Sequence, residues 1–424
     1  MSATVLNEAK RCLQCKNPLC SKGCPVNTNV PAMMKQFLNG NMHEAGEMLF
    51  DNNPLSIVCS LICPHSRQCE GHCVLNRKGN PIQVGMVEHY ISDYYLNYVT
   101  TPHEKDKRKK VGIIGTGPAG ITIAFILASR GFDITLFDAH DKIGGVLRYG
   151  IPEFRLSKSI LDKMKEKLVA MGVRIRPNTN IGPVITIDDL FRDGFKAVFI
   201  GTGVWRPNGL TMKGESLGNV HYAIDYLKNP EVYDLGRSIC VVGAGNVAMD
   251  VARTALRHGV RHVTVMFRGG EEHIEADHVE VEYAKIDGVQ FEFYKQPTEF
   301  TEEGVKYVQM QVEQTEEGRL LFEPVDDAEL LFEADSTIIA VGQGPRNILV
   351  KSTEGLNVSN RGLLETDHHG RTTRSGVFAS GDVVTGAKTV VEAVRVSKIV
   401  ADEIADYVEC VLKNECNCPD GCEC

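Results

Sequence analysis

Residues 111–120 read VGIIGTGPAG, an apolar run closed by Gly115-x-Gly117-x-x-Gly120. The run predicts a buried parallel strand, and Ile121–Ser129 predicts the helix after it. Each glycine has a separate task in this pattern. Gly115 allows a tight turn, Gly117 lets backbone approach a pyrophosphate, and Gly120 lets the helix pack closely on the strand. Pro118 and Ala119 occupy the first turn of the helix, where free N–H groups and the positive dipole end suit phosphate. A GxGxxG alone is a weak signal. This one is followed by a second strand, Asp133–Phe137, and by an acid, Asp138, placed 18 residues past Gly120 to meet a ribose hydroxyl. We read the stretch as a dinucleotide-binding unit rather than a bland glycine-rich turn.

A second unit follows. Cys240-Val241-Val242-Gly243-Ala244-Gly245-Asn246-Val247-Ala248 repeats the motif with Ala248 in place of the third glycine, a variant that still packs tightly. A helix over Val247–His258 and a strand over His262–Phe267 are expected after it. Two apolar segments, Ala197–Gly203 (AVFIGTG) and Thr337–Gly344 (TIIAVGQG), look like counterparts. Between the units, Gly144-Gly145 precedes Val146-Leu147-Arg148, read as a strand and a turn where backbone meets a flat ligand. Leu156–Met171 has the spacing of an amphipathic helix. Val377–Asp382 (VFASGD) reads as a strand whose end carries Gly381-Asp382, and Thr389–Tyr407 as a long helix. Cys240 lies on a strand and reads as core. The second unit has no CxxC, which argues against a dithiol mechanism.

The first strand pair ends in an acid, the second in Phe267-Arg268-Gly269-Gly270-Glu271-Glu272. Arg268 suits a 2′-phosphate and NADP(H), whereas Glu271 and Glu272 would repel one and favour NAD(H).

Fourteen cysteines are many for a chain of ordinary composition, and their placement matters more than their number. Eight fall in two groups, Cys12-x2-Cys15-x4-Cys20-x3-Cys24-Pro25 and Cys59-x3-Cys63-Pro64-x4-Cys69-x3-Cys73. Neither has the spacing of two zinc knuckles. The first is close to the ferredoxin run that ends in Cys-Pro, whose fourth cysteine ligates the other cluster in two-cluster ferredoxins. Two 4Fe–4S clusters with crossed ligation are expected. Helical spacing over Val30–Leu49 and Met86–Val99 would carry the cysteine loops, His43, His65 and His72 read as surface histidines, and Lys105–Lys110 (KDKRKK) as a charged linker. Five more cysteines lie between Cys410 and Cys424, as a metal site or as a tail against a partner.

With 424 residues, two to three domains are expected. The net charge of −9 argues against nucleic-acid binding. No apolar run is long enough to span a bilayer, and MSATVLNEAKRC has no apolar signal region, so no membrane partner and a cytoplasmic location are expected. A hydride donor site, a flavin site and one-electron clusters together make a converter from two-electron to one-electron chemistry.

The order of motifs (double cysteine group, GTGPAG, GGVLRYGIPEFRL, GTG, VVGAGNVAMD, AVGQ, SGDVVTGAKTVVEAV) resembles the small subunit of bacterial glutamate synthase and its relatives, from about Glu8 to Glu409. These relatives include the N-terminal half of dihydropyrimidine dehydrogenase and the FAD subunit of the NADH-dependent ferredoxin:NADP transhydrogenase. The short length and cysteine-bearing tail look most like the NAD-linked subunit of the two-subunit bacterial dihydropyrimidine enzyme.

The resemblance implies an α/β chain with two Rossmann-like dinucleotide-binding domains, for FAD and NAD(P), preceded by an α-helical iron–sulfur domain. Residues 1–105 would form the two-cluster domain, 106–205 and 341–409 the FAD domain, 206–340 the NAD(P) domain, and 410–424 a cysteine-rich tail. One cluster would use Cys12, Cys15, Cys20 and Cys73, the other Cys24, Cys63, Cys69 and the carboxylate of Glu88, leaving Cys59 over. FAD would be held by Gly115, Gly117, Pro118, Ala119, Gly120, Asp138, Gly144, Gly145, Arg148, Gly381 and Asp382. The nicotinamide nucleotide would be held by Gly243, Gly245, Asn246, Val247, Ala248 and Arg268. Gly269 stands where NADP-linked relatives commonly carry a second basic residue, and with Glu271 and Glu272 this favours NADH over NADPH.

The expected activity is NAD(P)H oxidation, with electrons passing through FAD and the clusters to a separate catalytic subunit. That partner could be of the dihydropyrimidine dehydrogenase or glutamate synthase kind, or an aldehyde-oxidising metalloenzyme. A stand-alone NAD(P)H:ferredoxin-type reductase is the alternative enzyme. A zinc-bearing, nucleotide-sensing module without catalysis is the alternative class.

Overall fold

The computed structural model describes residues 3–99, 104–314, 320–326 and 328–415. The chain opens with six helices: Ala3–Lys10 (α1), Leu19–Gly23 (α2), Val30–Leu38 (α3), Met42–Asn52 (α4), Ser56–Ile62 (α5) and Val84–Leu96 (α6). The helical pattern expected over Val30–Leu49 is real but divided. Asn39-Gly40-Asn41 breaks it, with Gly40 at φ +82°, a left-handed conformation that favours glycine. The apolar stripes of α3, α4 and α6 (Met33, Met34, Phe37, Leu49, Val87, Ile91) meet in one core, with Cys69 in it and Cys12, Cys20 and Cys73 packed against it.

The strand Asp106–Ile114 (β1) begins inside the KDKRKK stretch, correcting its reading as a solvated linker. The cations are absorbed by partners. Lys105 pairs with Asp133 at 2.6 Å and Lys109 with Glu409 at 2.9 Å, while Lys110 lies over the Phe195 ring at 4.4 Å. Long lysine stems can cover apolar surface with the charge at the rim, so charge alone did not forbid a strand. Then follow Pro118–Ser129 (α7), Phe132–Phe137 (β2), Val146–Tyr149 (α8), Lys158–Ala170 (α9), Arg174–Arg176 (β3), Ile187–Arg192 (α10) and Ala197–Ile200 (β4). The strand expected after Gly144-Gly145 is the short helix α8 instead. Gly144 and Gly145 take φ of +126° and +51°, and their carbonyls accept from Leu147 and Arg148 N–H, which winds the chain into a turn.

The second part comprises Arg206–Pro207 (β5), Val220–Tyr222 (β6), Ala223–Lys228 (α11), Ser238–Val242 (β7), Asn246–Arg257 (α12), His262–Met266 (β8), His278–Asp287 (α13) and Gln290–Glu292 (β9). Lys295–Thr301 (β10), Gly304–Gln314 (β11), Leu320–Pro324 (β12), Leu330–Glu333 (β13), Ser336–Ile339 (β14) and Gln343–Gly344 (β15) complete it. The chain returns through Ile348–Lys351 (α14), Val377–Ala379 (β16), Asp382–Thr385 (α15) and Val390–Glu415 (α16). The last helix continues through 410–415, which were expected in the tail. Cys416, Cys418, Cys422 and Cys424 lie outside the described residues.

Two compact units result. One holds residues 1–148, 153–204 and 345–424, the other 149–152 and 205–344. The first contains a five-stranded sheet in the order β16-β4-β1-β2-β3, the second a five-stranded sheet in the order β6-β14-β7-β8-β9. Every pairing in both is parallel. In each, a glycine-motif strand lies beside a later strand of the AVFI or TIIA type, so those segments are counterparts. Strands buried on both faces read as near-continuous apolar runs, as VGII and CVV do. The second unit also carries the antiparallel strands β10, β11, β12 and β13.

In the first unit α7 is buried almost all round, and the fully buried Phe125 meets Phe50 of α4 edge-on at 5.3 Å. This contact ties the helical N-terminal region to the sheet. Phe125→Ala should cost about 3–5 kcal/mol, the usual range for emptying a buried aromatic site, read as a drop in urea unfolding free energy. A loss below about 1 kcal/mol would show that the ring carries little of the join.

Candidate functional site

The turn after β1 is built by absence of side chain. A Cβ on Gly120 would lie 2.0 Å from the Gly115 carbonyl oxygen, and one on Gly115 would lie 2.5 Å from the Gly201 carbonyl oxygen. Gly115 also takes φ +96°. Gly117 caps α7, has Pro118 after it, and has nothing within 4 Å of the position of a Cβ. The turn therefore opens onto free space where the helix presents its N–H groups, the arrangement that receives a pyrophosphate.

Two distant segments close on that turn. Gly145 is packed so tightly that a Cβ would lie 2.7 Å from Gly117 Cα, and Gly144 N–H donates to the Thr116 carbonyl at 2.9 Å. Gly381, at φ +76°, would bring a Cβ to 3.1 Å from the Ala119 methyl. Thus GTGPAG, the Gly pair and Ser-Gly-Asp, read separately in the sequence, form one cradle. Its shape fits a dinucleotide such as FAD.

Asp138 is buried and hydrogen-bonded within the protein. It accepts from Thr116 N–H and His140 N–H, both at 2.8 Å, from Thr116 Oγ1, and pairs with His140 Nδ1 at 2.9 Å. Burial works to raise its carboxyl, but the bonds from His140 and Thr116 outweigh burial and hold it below the usual carboxylate range. The acid stays ionised and fixes the motif turn. Arg148 donates to the Ile143 carbonyl at 2.7 Å and to Asp162 at 2.5 Å, so its guanidinium braces the Gly-Gly loop. Thr116 and His140 escaped the sequence reading because nothing in their spacing marks them.

Asp382 behaves in the opposite way. Burial pushes its carboxyl up to about 6, although the Lys388 N–H bond at 3.2 Å opposes this.

The second unit repeats the construction. Gly243, at φ +119°, would place a Cβ 2.5 Å from the Ala340 carbonyl oxygen, while Gly245 caps α12 into open space. Ala248 is fully buried, which explains why alanine serves as the third small residue. Val247 follows Asn246 in the first turn of α12. The Asn246 side chain accepts from Asp277 N–H at 2.9 Å and thereby holds the segment that follows β8. Arg268 is exposed and stacks on the Phe322 ring at 4.5 Å. Glu271 is paired with Lys285 at 2.5 Å, whereas Glu272 accepts from the neutral Tyr294 hydroxyl at 3.0 Å and keeps its charge. His273, whose Nδ1 accepts from Gly270 N–H at 3.1 Å, adds a titratable ring that the sequence reading missed.

The cysteines assemble into two groups. The Cys12 and Cys20 thiols are raised chiefly by burial, and each also feels Cys73; Cys15 acts on Cys12. Cys63 is pushed well up by a hydrogen bond with Cys59 and by burial, with Glu88 and Cys69 adding. Cys69 is pushed well up by burial, then by Glu88, Glu70 and Cys24. Glu88 is buried and its carboxyl is pushed up to about 8 by that burial, with Glu70 adding. Cys12, Cys15, Cys20 and Cys73 thus act on one another, and Cys24, Cys59, Cys63, Cys69, Glu70 and Glu88 are linked separately in the same way. Crowded donors that resist ionisation become good ligands once iron supplies positive charge. The donor set fits 4Fe–4S clusters. His43 and His72 are exposed, as expected. Cys240 is fully buried and its thiol is pushed up to about 12 by desolvation, a core residue. No described helix is long and apolar enough to cross a membrane.

Two Rossmann-type units with a cysteine-bearing helical region in front define an NAD(P)H-dependent oxidoreductase of the flavoprotein kind, and comparison with known proteins agrees. Residues 109–397 match the pyridine nucleotide-disulphide oxidoreductase family, and residues 1–99 match the family of dihydropyrimidine dehydrogenase domain II, 4Fe–4S cluster. The glutamate synthase [NADPH] small chain of Escherichia coli K12 is 33% identical, over 95% of this chain and 91% of that one. The NAD-dependent dihydropyrimidine dehydrogenase subunit PreT of Salmonella typhimurium is 31% identical, over 97% of this chain and 95% of that one. Among solved structures, Mycobacterium tuberculosis FprA in complex with NADPH superposes with a TM-score of 0.61 at 16% identity, over 72% of this chain and 86% of that one, a likeness of fold. The chain belongs to the pyridine nucleotide-disulphide oxidoreductases and, within them, to the family of glutamate synthase small chains and their dihydropyrimidine dehydrogenase relatives.

Asp382 supplies a pH test of the flavin-free protein. Its carboxyl lies higher in the folded than in the unfolded chain, so its contribution is fully favourable below about 4 and is lost as pH rises through about 6. Asp382→Asn keeps an acceptor for Lys388 N–H. It should gain on the order of 1–2 kcal/mol near pH 8 and little near pH 4 in urea unfolding. A pH-independent difference would contradict this assignment.

Proposed function

We propose that this chain takes a hydride from NAD(P)H and delivers the electrons singly to a separate catalytic subunit, through bound FAD and two 4Fe–4S clusters. The observation that supports the reading is the match of residues 1–99 to the dihydropyrimidine dehydrogenase domain II, 4Fe–4S cluster family, in a helical region where the cysteines from Cys12 to Cys73 and the Glu88 carboxyl act on one another. When bound, the flavin accepts an electron pair and releases it one electron at a time, and the clusters carry single electrons. The protein's own residues supply position and field. Gly117 and Ala119 would offer N–H groups to the pyrophosphate, while Pro118, which has none, starts the helix between them; Asp138 fixes the turn through Thr116 and His140, and Arg148 braces the Gly-Gly loop. Asp382 and Gly381 close the cradle from the other side. Gly243, Gly245, Asn246, Val247 and Ala248 receive the nicotinamide nucleotide, with Arg268 at its ribose end. Glu88 brings a hard oxygen donor to a cluster otherwise held by thiolates, which alters its potential.

The names of the two relatives point in different directions, one NADPH and one NAD-dependent. Gly269 and the acids after it favour NADH here. Both relatives are named as a chain or subunit of a larger enzyme, which supports a separate partner. Anaerobic affinity purification with mass spectrometry should bring down such a partner. A yellow-brown protein recovered alone would favour a ferredoxin-linked reductase, and a colourless zinc protein would end the redox reading.

Replacing Glu271 and Glu272 with Arg should raise the NADPH-to-NADH ratio of kcat/KM about tenfold, the worth of one charge-assisted hydrogen bond of about 1.5 kcal/mol. An unchanged ratio would remove these acids from cofactor choice.

A further inference from the structure

Helix α16 joins the flavin cradle to the second cysteine group through two consecutive residues. Ser397 is fully buried, and its hydroxyl lies 2.8 Å from that of Ser380, two residues before Asp382. That bond fixes the helix about its axis. The next residue, Lys398, is half-buried and reaches the other way, donating to Asn52 at its carbonyl (2.6 Å) and at Oδ1 (2.9 Å). Asn52 Nδ2 donates to Thr28 Oγ1 at 3.3 Å, and Thr28 Oγ1 lies 3.4 Å from Cys24 Sγ. Thr28 is itself buried. A metal-bound Cys24 has no proton to give, so the Thr28 hydroxyl would donate to sulfur. Every bond in the series then points its proton from Lys398 toward Cys24.

The charges around Lys398 are few. Asp402, one turn on, is engaged by Arg130 at 2.5 Å. Burial pulls the Lys398 ammonium below its ordinary range, with Asp402 and Cys24 acting against that pull. Hydrogen bonds and charge beside a cluster sulfur are established means of tuning a cluster.

We propose that Lys398 is a positioning and tuning residue that raises the reduction potential of the cluster held through Cys24, and so favours electron arrival there from the flavin. The inference rests on the reading of Cys24 as a cluster ligand. Reduction adds one electron and one negative charge to the cluster, no bond is made or broken, and Lys398 keeps its proton. The electron comes from flavin reduced by NAD(P)H.

The test uses the full-length holoprotein, purified anaerobically, as wild type, Lys398→Gln, Lys398→Arg and Lys413→Gln. The last removes an equal charge from an exposed position on the same helix. Iron, sulfide and flavin are quantified, and each protein is titrated with dithionite against mediators with EPR detection. The expected result is a lowered midpoint for one of the two cluster signals in Lys398→Gln, seen as a severalfold smaller reduced-to-oxidised ratio at the wild-type midpoint. The other signal and the iron content should be unchanged, Lys398→Arg should restore most of the shift, and Lys413→Gln should show none. Intact clusters with unmoved midpoints in Lys398→Gln would overturn this inference alone. Wild-type protein without iron–sulfur signals would overturn both it and the reading beneath it.

Discussion

The junction of β1 with α7 depends on a carbonyl oxygen that no side chain may approach. The Gly115 carbonyl lies where a Cβ on Gly120 would be, at 2.0 Å. This single contact lets a buried strand turn directly into a buried helix. It leaves Gly117 facing open space and sets the height at which Gly144-Gly145 and Gly381 can close on the turn. The second unit shares a different contact: Gly243 meets the Ala340 carbonyl as Gly115 meets the Gly201 carbonyl, both at 2.5 Å from the position of a Cβ, while Ala248 takes the place of Gly120. What the two turns have in common is a glycine at positive φ pressed against the neighbouring strand, and the rest of each sheet serves to hold that turn still.

Around these turns the chain distributes electrostatics unevenly. Asp138 is buried yet kept ionised by four hydrogen-bonding contacts, whereas Asp382 is pushed toward neutrality by burial with a single backbone donor. The cysteine region goes further. The buried thiols of Cys59 and Cys69, the half-buried Cys63 and the buried Glu88 carboxyl act on one another with no cation of the protein among the causes that act on Cys63, Cys69 or Glu88. Such a cluster of acids is unfavourable by itself and becomes coherent once iron is added to it. The cation that does approach, Lys398, comes from a helix that also touches the flavin cradle.

Much of this was legible in the sequence. Apolar runs ended by GTGPAG and GAGNVA fix strand, turn and helix because few other residues satisfy those contacts, whereas the crossed cysteine assignment rests on Cys24-Pro25 and the family resemblance and is a proposal. What was not legible has physical causes. KDKRKK forms part of β1 because its cations find Asp133, Glu409 and the Phe195 ring, all distant in sequence. The residues after Gly144-Gly145 coil instead of extending because both glycines take positive φ. The compensation of Glu271 by Lys285, and the route from Lys398 to Cys24, are long-range pairings that no local pattern records.

The central claim is that hydride equivalents entering at the nicotinamide nucleotide leave as single electrons on iron–sulfur centres of this same chain. Mixing the anaerobic holoprotein with NADH or NADPH, then freezing it for low-temperature EPR while following flavin absorbance in parallel, tests it directly. The expected result is bleaching of the flavin band together with a reduced 4Fe–4S signal. Flavin bleaching with no change at any cluster would contradict it.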